Sequence, residues 1–367
     1  MSTVLSTTVP ADTDAERRDA LADRLFKALI ESMELAGTYL GLRLGLYEAL
    51  RGQPATAGEL AARAGVDGRY AREWLEQQAV AGLLDADGEA DGDRRRYALP
   101  GGHAQVLLDP DDPSYAGAAA LWLGSLARIL PRVPAAYRSG EGIPYADYGQ
   151  DCREAIARFN RPLFANELPG WLAAMPGVRA RLEAPSARVL DVACGEGWSS
   201  IALARAFPGV TVDGVDSDEA SIAQARENAA AAGLAGRAGF RVADAAELAG
   251  GGGYDAAFVF EALHDMARPV EALRALRAAL APGGSLVVAD EKVAEAFGAP
   301  GDEVERLNYG FSVWHCLPAS RAEAPSAAAG TCLRPATVRD WAGQAGFASV
   351  AVAPVDNDLW RFYLLEG

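Results

Sequence analysis

The stretch Val189-Leu190-Asp191-Val192-Ala193-Cys194-Gly195-Glu196-Gly197-Trp198 constrains this chain more than any other. An apolar run reaches an acidic residue, breaks into small residues, and continues as Ser199-Ser200-Ile201-Ala202-Leu203-Ala204. A run without polar alternation is a strand buried on both faces, so the segment predicts a strand, a tight turn and a helix of a parallel α/β sheet. Small residues at 193, 195 and 197 let a ligand approach the backbone, and the first turn of the helix offers unpaired N–H groups. A nucleotide-like cofactor is expected there.

A short glycine pattern alone is a weak signal, so its partners must be sought further along the chain. Thr211-Val212-Asp213-Gly214-Val215-Asp216 predicts a second strand. Its final acid lies roughly twenty residues past the glycines, where an acid can grip ribose hydroxyls. Phe240 to Asp244 ends a third strand with another acid, and Tyr254 to Glu261 makes a fourth.

This ordered set resembles the class I S-adenosylmethionine-dependent methyltransferases. The resemblance implies a cofactor, S-adenosyl-L-methionine, held by Asp191, Gly195 and Gly197 around the first turn. It implies Asp216 with Ser217 at the ribose, and Asp244 with Ala245 at the adenine, with Phe260 at the fourth strand end. The chain departs from the family's usual Asp-x-Gly-x-Gly-x-Gly at Ala193, which carries a β-carbon.

At 367 residues the chain exceeds one typical domain. The expected organisation is a mostly helical winged-helix domain over 1–110, a helical bridge and substrate lid over 111–185, and a Rossmann-like seven-stranded domain over 186–367. The fold class is therefore α/β. A net charge of −16, from 34 basic and 50 acidic residues, repels phosphate backbones and argues against a nucleic-acid substrate. Cys152, Cys194, Cys316 and Cys332 form no Cys-x-x-Cys pair, which fits a reducing cytoplasm. Acids at 12, 14 and 16 and the lack of a basic start followed by an apolar core speak against a secretory signal, and no apolar run is long enough for a membrane span.

In the first domain, residues 1 to about 15 are expected to be disordered. Leu21, Leu25, Leu29 and Met33, with Phe26 and Ile30, then recur at helical spacing. Gly37, Gly41 and Gly45 follow at four-residue steps. Each weakens a helix by about 1 kcal/mol relative to alanine, so either close packing compensates or the helix breaks near Gly37. Two short helices follow, the first capped by Thr56 and the second running to Leu83, and then a polar stretch from Asp85 to Asp93 leads to a β-wing at Arg94–Leu99. Helix, helix, wing is a DNA-binding pattern, which leaves a DNA-binding regulator that senses the cofactor as a rival function. Yet Arg63, Arg69, Arg72 and the wing arginines are outnumbered by nearby acids such as Glu59, Asp67, Glu73, Glu76, Glu89 and Asp91. Small-molecule O-methyltransferases carry a similar domain, and that resemblance implies a homodimer.

Between the domains, Phe159, Asn160, Phe164 and Trp171 are candidates to line a pocket or to pack a core. Gly250 to Gly253 reads as a loop. Beyond the fourth strand, Glu261-Ala262-Leu263-His264-Asp265-Met266 lies at a strand's carboxyl end, where doubly wound sheets place their chemistry. His264 resembles the family's general base. A phenol of pKa about 10 needs its proton removed, and an imidazole of pKa about 6.5 suits that work. Its orienting acid stays open among Asp265, Glu291, Glu303 and Glu305. Asn308, Tyr309, Phe311, Trp314 and His315 are expected to border the substrate. His264 with His315 also raises a second chemistry, metal-assisted C-methylation of an α-keto acid, although two histidines are too few ligands to assert a metal site. The first expectation is O-methylation of a small-molecule acceptor, without nucleic acid or membrane as partner.

Overall fold

The computed structural model describes residues 13–88, 92–248 and 252–367. Most of the stretch expected to be disordered, the acids Glu89 and Asp91, and Gly250 and Gly251 of the glycine loop lie outside the described residues. The chain divides into two compact units, Met1–Leu108 and Asp109–Gly367.

The first unit opens on one helix, Asp14–Arg43, capped by a reciprocal pair in which Thr13 and Glu16 bond each other's backbone. It does not break at Gly37. A β-carbon on Gly41 would lie 2.6 Å from the Trp74 ring, and the Gly37 carbonyl accepts the Trp74 indole N–H at 2.8 Å. Close approach is thus what these two glycines provide. Gly45 lies past the helix end, in the left-handed region at φ 66°, and starts the short helix Leu46–Leu50. Thr56 caps Ala57–Ala64 as expected, whereas the next helix, Gly68–Val80, stops short of Leu83. Strands β1 (Asp85–Ala86) and β2 (Tyr97–Ala98) pair antiparallel as the wing. Tyr47, Leu50, Leu60, Trp74 and Leu75 form this unit's core. Leu21, Leu25, Phe26, Leu29, Ile30 and Met33 on the long helix remain 44–65% exposed.

The second unit is built on a seven-stranded sheet. Its strands are β3 (Arg188–Val192), β4 (Thr211–Asp216), β5 (Ala238–Val242), β6 (Tyr254–Phe260), β7 (Leu280–Glu291), β8 (Ser349–Val352) and β9 (Trp360–Glu366). Their spatial order is β5-β4-β3-β6-β7-β9-β8, with β9 antiparallel to both neighbours and the other pairs parallel. β3 contributes Val189 to one packed layer and Leu190 and Val192 to the other, which explains its lack of alternation. From β3 the chain winds outward through β4 and β5, then returns to β6 on the opposite side. That reversal opens a crevice beyond the carboxyl ends of β3, β4 and β6. The helix Gln150–Asn166 packs beside the helix Trp198–Ala206 and brings its own side chains to the crevice.

Candidate active site

The turn after β3 is held by left-handed backbone at Ala193 (φ 56°), Gly195 (φ 51°) and Gly197 (φ 82°). For alanine this conformation costs about 1–2 kcal/mol. Two glycines press on one ring: a β-carbon at Gly197 would lie 2.8 Å from Phe240, and one at Gly214 would lie 2.5 Å from it. Gly195 has no atom within 4 Å of where its β-carbon would be, so its backbone faces open space. Beneath the turn, Asp191 accepts the hydroxyls of Ser199 and Ser200 at 2.6 and 2.5 Å, and burial pushes its carboxyl up to about 6. It ties the start of the helix to the strand.

The cleft opens at the sheet's reversal point. Gly195, Asp216, Ser217, Asp244, Ala245 and Phe260 all line it, whereas Asp191, Gly197 and His264 lie outside its wall. Asp216 accepts the N–H groups of Gly195 and Asp218, each at 2.9 Å, and burial raises its pKa. Asp244 forms an ion pair with Arg268 and accepts the Ala246 N–H at 2.8 Å. Phe260 stacks on Phe258 at 5.4 Å and meets Phe164 edge-on at 5.2 Å.

His264 is buried in a tight turn, Leu263–Asp265, behind the cleft. Its Nδ1 lies 2.9 Å from Asp290 Oδ1, and its Nε2 is 3.5 Å from Oδ1 of Asp265, which does line the cleft. Burial works against the charged ring, but the carboxylates of Asp290 and Asp265 outweigh it and hold the imidazole well above its usual pKa. The orienting acid is therefore Asp290, which sequence reasoning missed. Of the acids left open, Glu291 hydrogen-bonds Glu261, Glu305 pairs with Arg334, and Glu303 is exposed. One signal was present: Asp290 follows the apolar run Leu286–Ala289 near the carboxyl end of β7, at the same sheet edge as the other acids.

The stretch 308–316 departs from expectation. Asn308, Tyr309, Phe311, Trp314 and His315 do not line the cleft; Ala319, Ser320 and Glu323 do. The helix Glu303–Phe311 and the wider π-helical turn Ser312–Cys316 turn Phe311, Trp314 and His315 into a cluster beside the cleft, where Phe311 meets Trp122 at 4.8 Å, while Tyr309 meets the exposed Phe297. His315 is buried there against Tyr148 at 4.6 Å, its Nδ1 lies 3.9 Å from Cys152 Sγ, and burial lowers its pKa. Among the described residues, the donor atoms close enough to share a metal belong to His264, Asp265 and Cys316, within 4.8 Å of one another. His315 is not in that group. Of the large residues on the bridge, Asn160 and Phe164 line the cleft, while Trp171 joins the core beneath.

In the winged unit four of the arginines weighed for DNA binding have partners within the chain. Arg69 pairs with Glu73, Arg72 with Asp93 and Arg96 with Glu59, while Arg63 donates to the Gln53 carbonyl at 2.8 Å. No described helix is long and apolar enough to cross a membrane.

Comparison with known proteins agrees with this architecture. Residues 183–323 match the model of a methyltransferase domain, and residues 35–108 match an Rv2258c-like winged HTH domain. A ubiquinone biosynthesis O-methyltransferase of Caulobacter sp. (strain K31) is 40% identical over 104 residues, which are 28% of this chain and 40% of that protein. The chain thus spans less than half the length of that relative. The mitomycin 7-O-methyltransferase MmcR shares the fold with a TM-score of 0.65 at 20% identity, over 96% of this chain and 99% of its own. Human N-acetylserotonin methyltransferase in complex with SAM shares it with a TM-score of 0.67 at 15% identity, over 98% and 99%.

Proposed function

We propose that this chain, in which a winged HTH domain precedes a methyltransferase domain, is an S-adenosylmethionine-dependent methyltransferase that methylates a small molecule on oxygen. The observation that carries the reading is a convergence. A cleft at the sheet's reversal point gathers Gly195, Asp216, Ser217, Asp244, Ala245 and Phe260, with a His264–Asp290 pair directly behind it.

The fit of the donor rests on these residues. Gly195 leaves open space where a side chain would stand, Asp216 and Ser217 would hold the ribose, and Asp244 and Ala245 would hold the adenine, with Asp191 and Gly197 shaping the turn below. S-adenosylmethionine, when bound, supplies an electrophilic methyl group on a sulfonium sulfur. The chain's part is to hold an acceptor in line and to take its proton. Asp290 accepts the Nδ1–H of His264, which leaves Nε2 as the proton acceptor, and Asp265 connects Nε2 to the cleft. The acids that raise the ring's pKa make it a stronger base when neutral, so turnover should climb with pH on the alkaline side of 6.5.

The winged unit reads as a dimerisation domain. Its long helix presents an apolar row, Leu21, Leu25 and Leu29 with Phe26, Ile30 and Met33, that a second copy of the helix would cover. Pairing of Arg69, Arg72 and Arg96 with acids, in a chain of net charge −16, supports a protein without nucleic-acid partners; no binding to random duplex at low salt is the expected result. Four free cysteines, three of them buried, suit a reducing cytoplasm.

Calorimetry with S-adenosylmethionine and its demethylated product tests the foundation: absence of heat from a folded sample refutes it. His264→Ala should lower turnover by about 10²–10⁴-fold while leaving donor affinity intact, and unchanged turnover removes the base assignment.

A further inference from the structure

On the wall formed by the helix Gln150–Asn166 and the end of β6, two side chains present a demand that the donor site does not meet. Asn160 is 7% exposed and lines the cleft. Its Nδ2 donates to Glu261, which fixes the amide's orientation, and its Oδ1 has no hydrogen-bond partner. Glu261 sits in left-handed backbone at φ 52°, a conformation that is strained for a non-glycine residue and recurs at binding sites. Behind it lies Glu291, joined to it by a carboxyl–carboxyl hydrogen bond. A buried amide oxygen without a donor loses the hydrogen bonds that water would give it. Beside a carboxylate, the group that answers both is one with several N–H donors and a positive charge.

The ionisable side chains of the whole cleft point the same way, even with Glu196 keeping its proton up to about pH 7. Glu196, Asp216, Asp244, Glu261, Asp265 and Glu323 line it, against Arg153 and Arg268. Both guanidinium groups are taken: Arg153 by Asp218 at 2.6 and 2.8 Å, Arg268 by Asp244 and Glu247. Among the described residues lining the cleft, no unpaired cation stands ready for a carboxylate or phosphate. We infer that the acceptor carries a protonated amine, received by Asn160 Oδ1 and the Glu261 carboxylate, and that acceptors bearing a carboxylate are rejected. This rests on the reading that a small-molecule acceptor enters this cleft, and it argues against an α-keto acid there. The donor's own α-ammonium shares the same chemistry, so the test must separate the two sources.

The test titrates the full chain, saturated with S-adenosylhomocysteine, with three phenols differing in their tails: tyramine, 4-ethylphenol and 4-hydroxyphenylacetate. Tyramine should bind at least tenfold more tightly than 4-ethylphenol, with 4-hydroxyphenylacetate weakest. Glu261→Gln should reduce the tyramine advantage to under threefold and leave S-adenosylhomocysteine affinity within twofold, which also reports that the variant folds. Asn160→Leu should do the same and carries the comparison if the first variant is unstable. Tyramine binding no better than 4-ethylphenol, or not at all, overturns the inference. Equal weakening of tyramine and S-adenosylhomocysteine in Glu261→Gln overturns it too, by assigning the pair to the donor's ammonium. Failure of the wild-type chain to bind S-adenosylhomocysteine would instead strike the methyltransferase reading, and the three phenols would still be compared on the unloaded protein.

Discussion

Glu196 offers a direct test of how dry the cleft is. It lies between Gly195 and Gly197 on the wall, and burial, with the charge of Glu154 nearby, pushes its carboxyl from 4.5 up to about 7 against the pull of Arg158 and Arg153. A rise of that size corresponds to roughly 3 kcal/mol between the two protonation states. Below pH 4.5 the side chain is protonated in both folded and unfolded chains, and nothing is lost. Between about 4.5 and 7 the unfolded chain ionises while the folded one keeps its proton, so the folded state loses ground; above 7 the full cost applies. Glu196→Gln cannot ionise. It should match the parent near pH 4 and exceed it by up to about 3 kcal/mol at pH 8, with the gap opening between. Urea denaturation of both proteins at half-unit pH steps, taken as a difference, cancels titrations common to the two. A difference that is the same at pH 4 and pH 8 refutes the burial argument. A variant less stable than the parent above pH 7 would show that a cation holds Glu196 ionised.

Other outcomes follow from the same geometry. Ala193→Gly should stabilise the protein by about 1 kcal/mol in denaturant titration, because glycine relieves the left-handed strain; a loss of stability would mean that the methyl group packs usefully. Asp290→Asn removes the charge that raises His264, so the rising limb of the pH–rate profile should move toward lower pH while kcat falls on the order of 10²-fold; an unmoved limb would assign it to another group. Leu25→Glu on the exposed apolar row should convert a dimer to a monomer in sedimentation, and a parent that is already monomeric removes the dimer proposal.

The sheet was legible because each strand announces itself locally. β3, β4 and β6 are apolar runs ending at the carboxyl edge in acids or small residues, and their order along the chain is the order of a doubly wound fold. The His264–Asp290 pair was not legible, since it depends on register. Phe260 is aligned with Ala289 across β6 and β7, and only that alignment brings the turn after β6 against the end of β7. Tight turns such as Leu263–Asp265 further defeat helical spacing, which is why Asp265 comes to face its neighbour's ring. The aromatics of 308–316 misled for a related reason: a helical stripe says that one face is buried, not which cavity it borders.

The ring of Phe240, on which a β-carbon at either Gly197 or Gly214 would press, also sets an order on how this protein can change. Neither glycine can acquire a side chain while that ring stands, so descent toward a bulkier loop must first pass through a smaller residue at 240. Three positions on three different segments are in this way a single heritable unit, and a library that varies the two glycines singly would find both immutable.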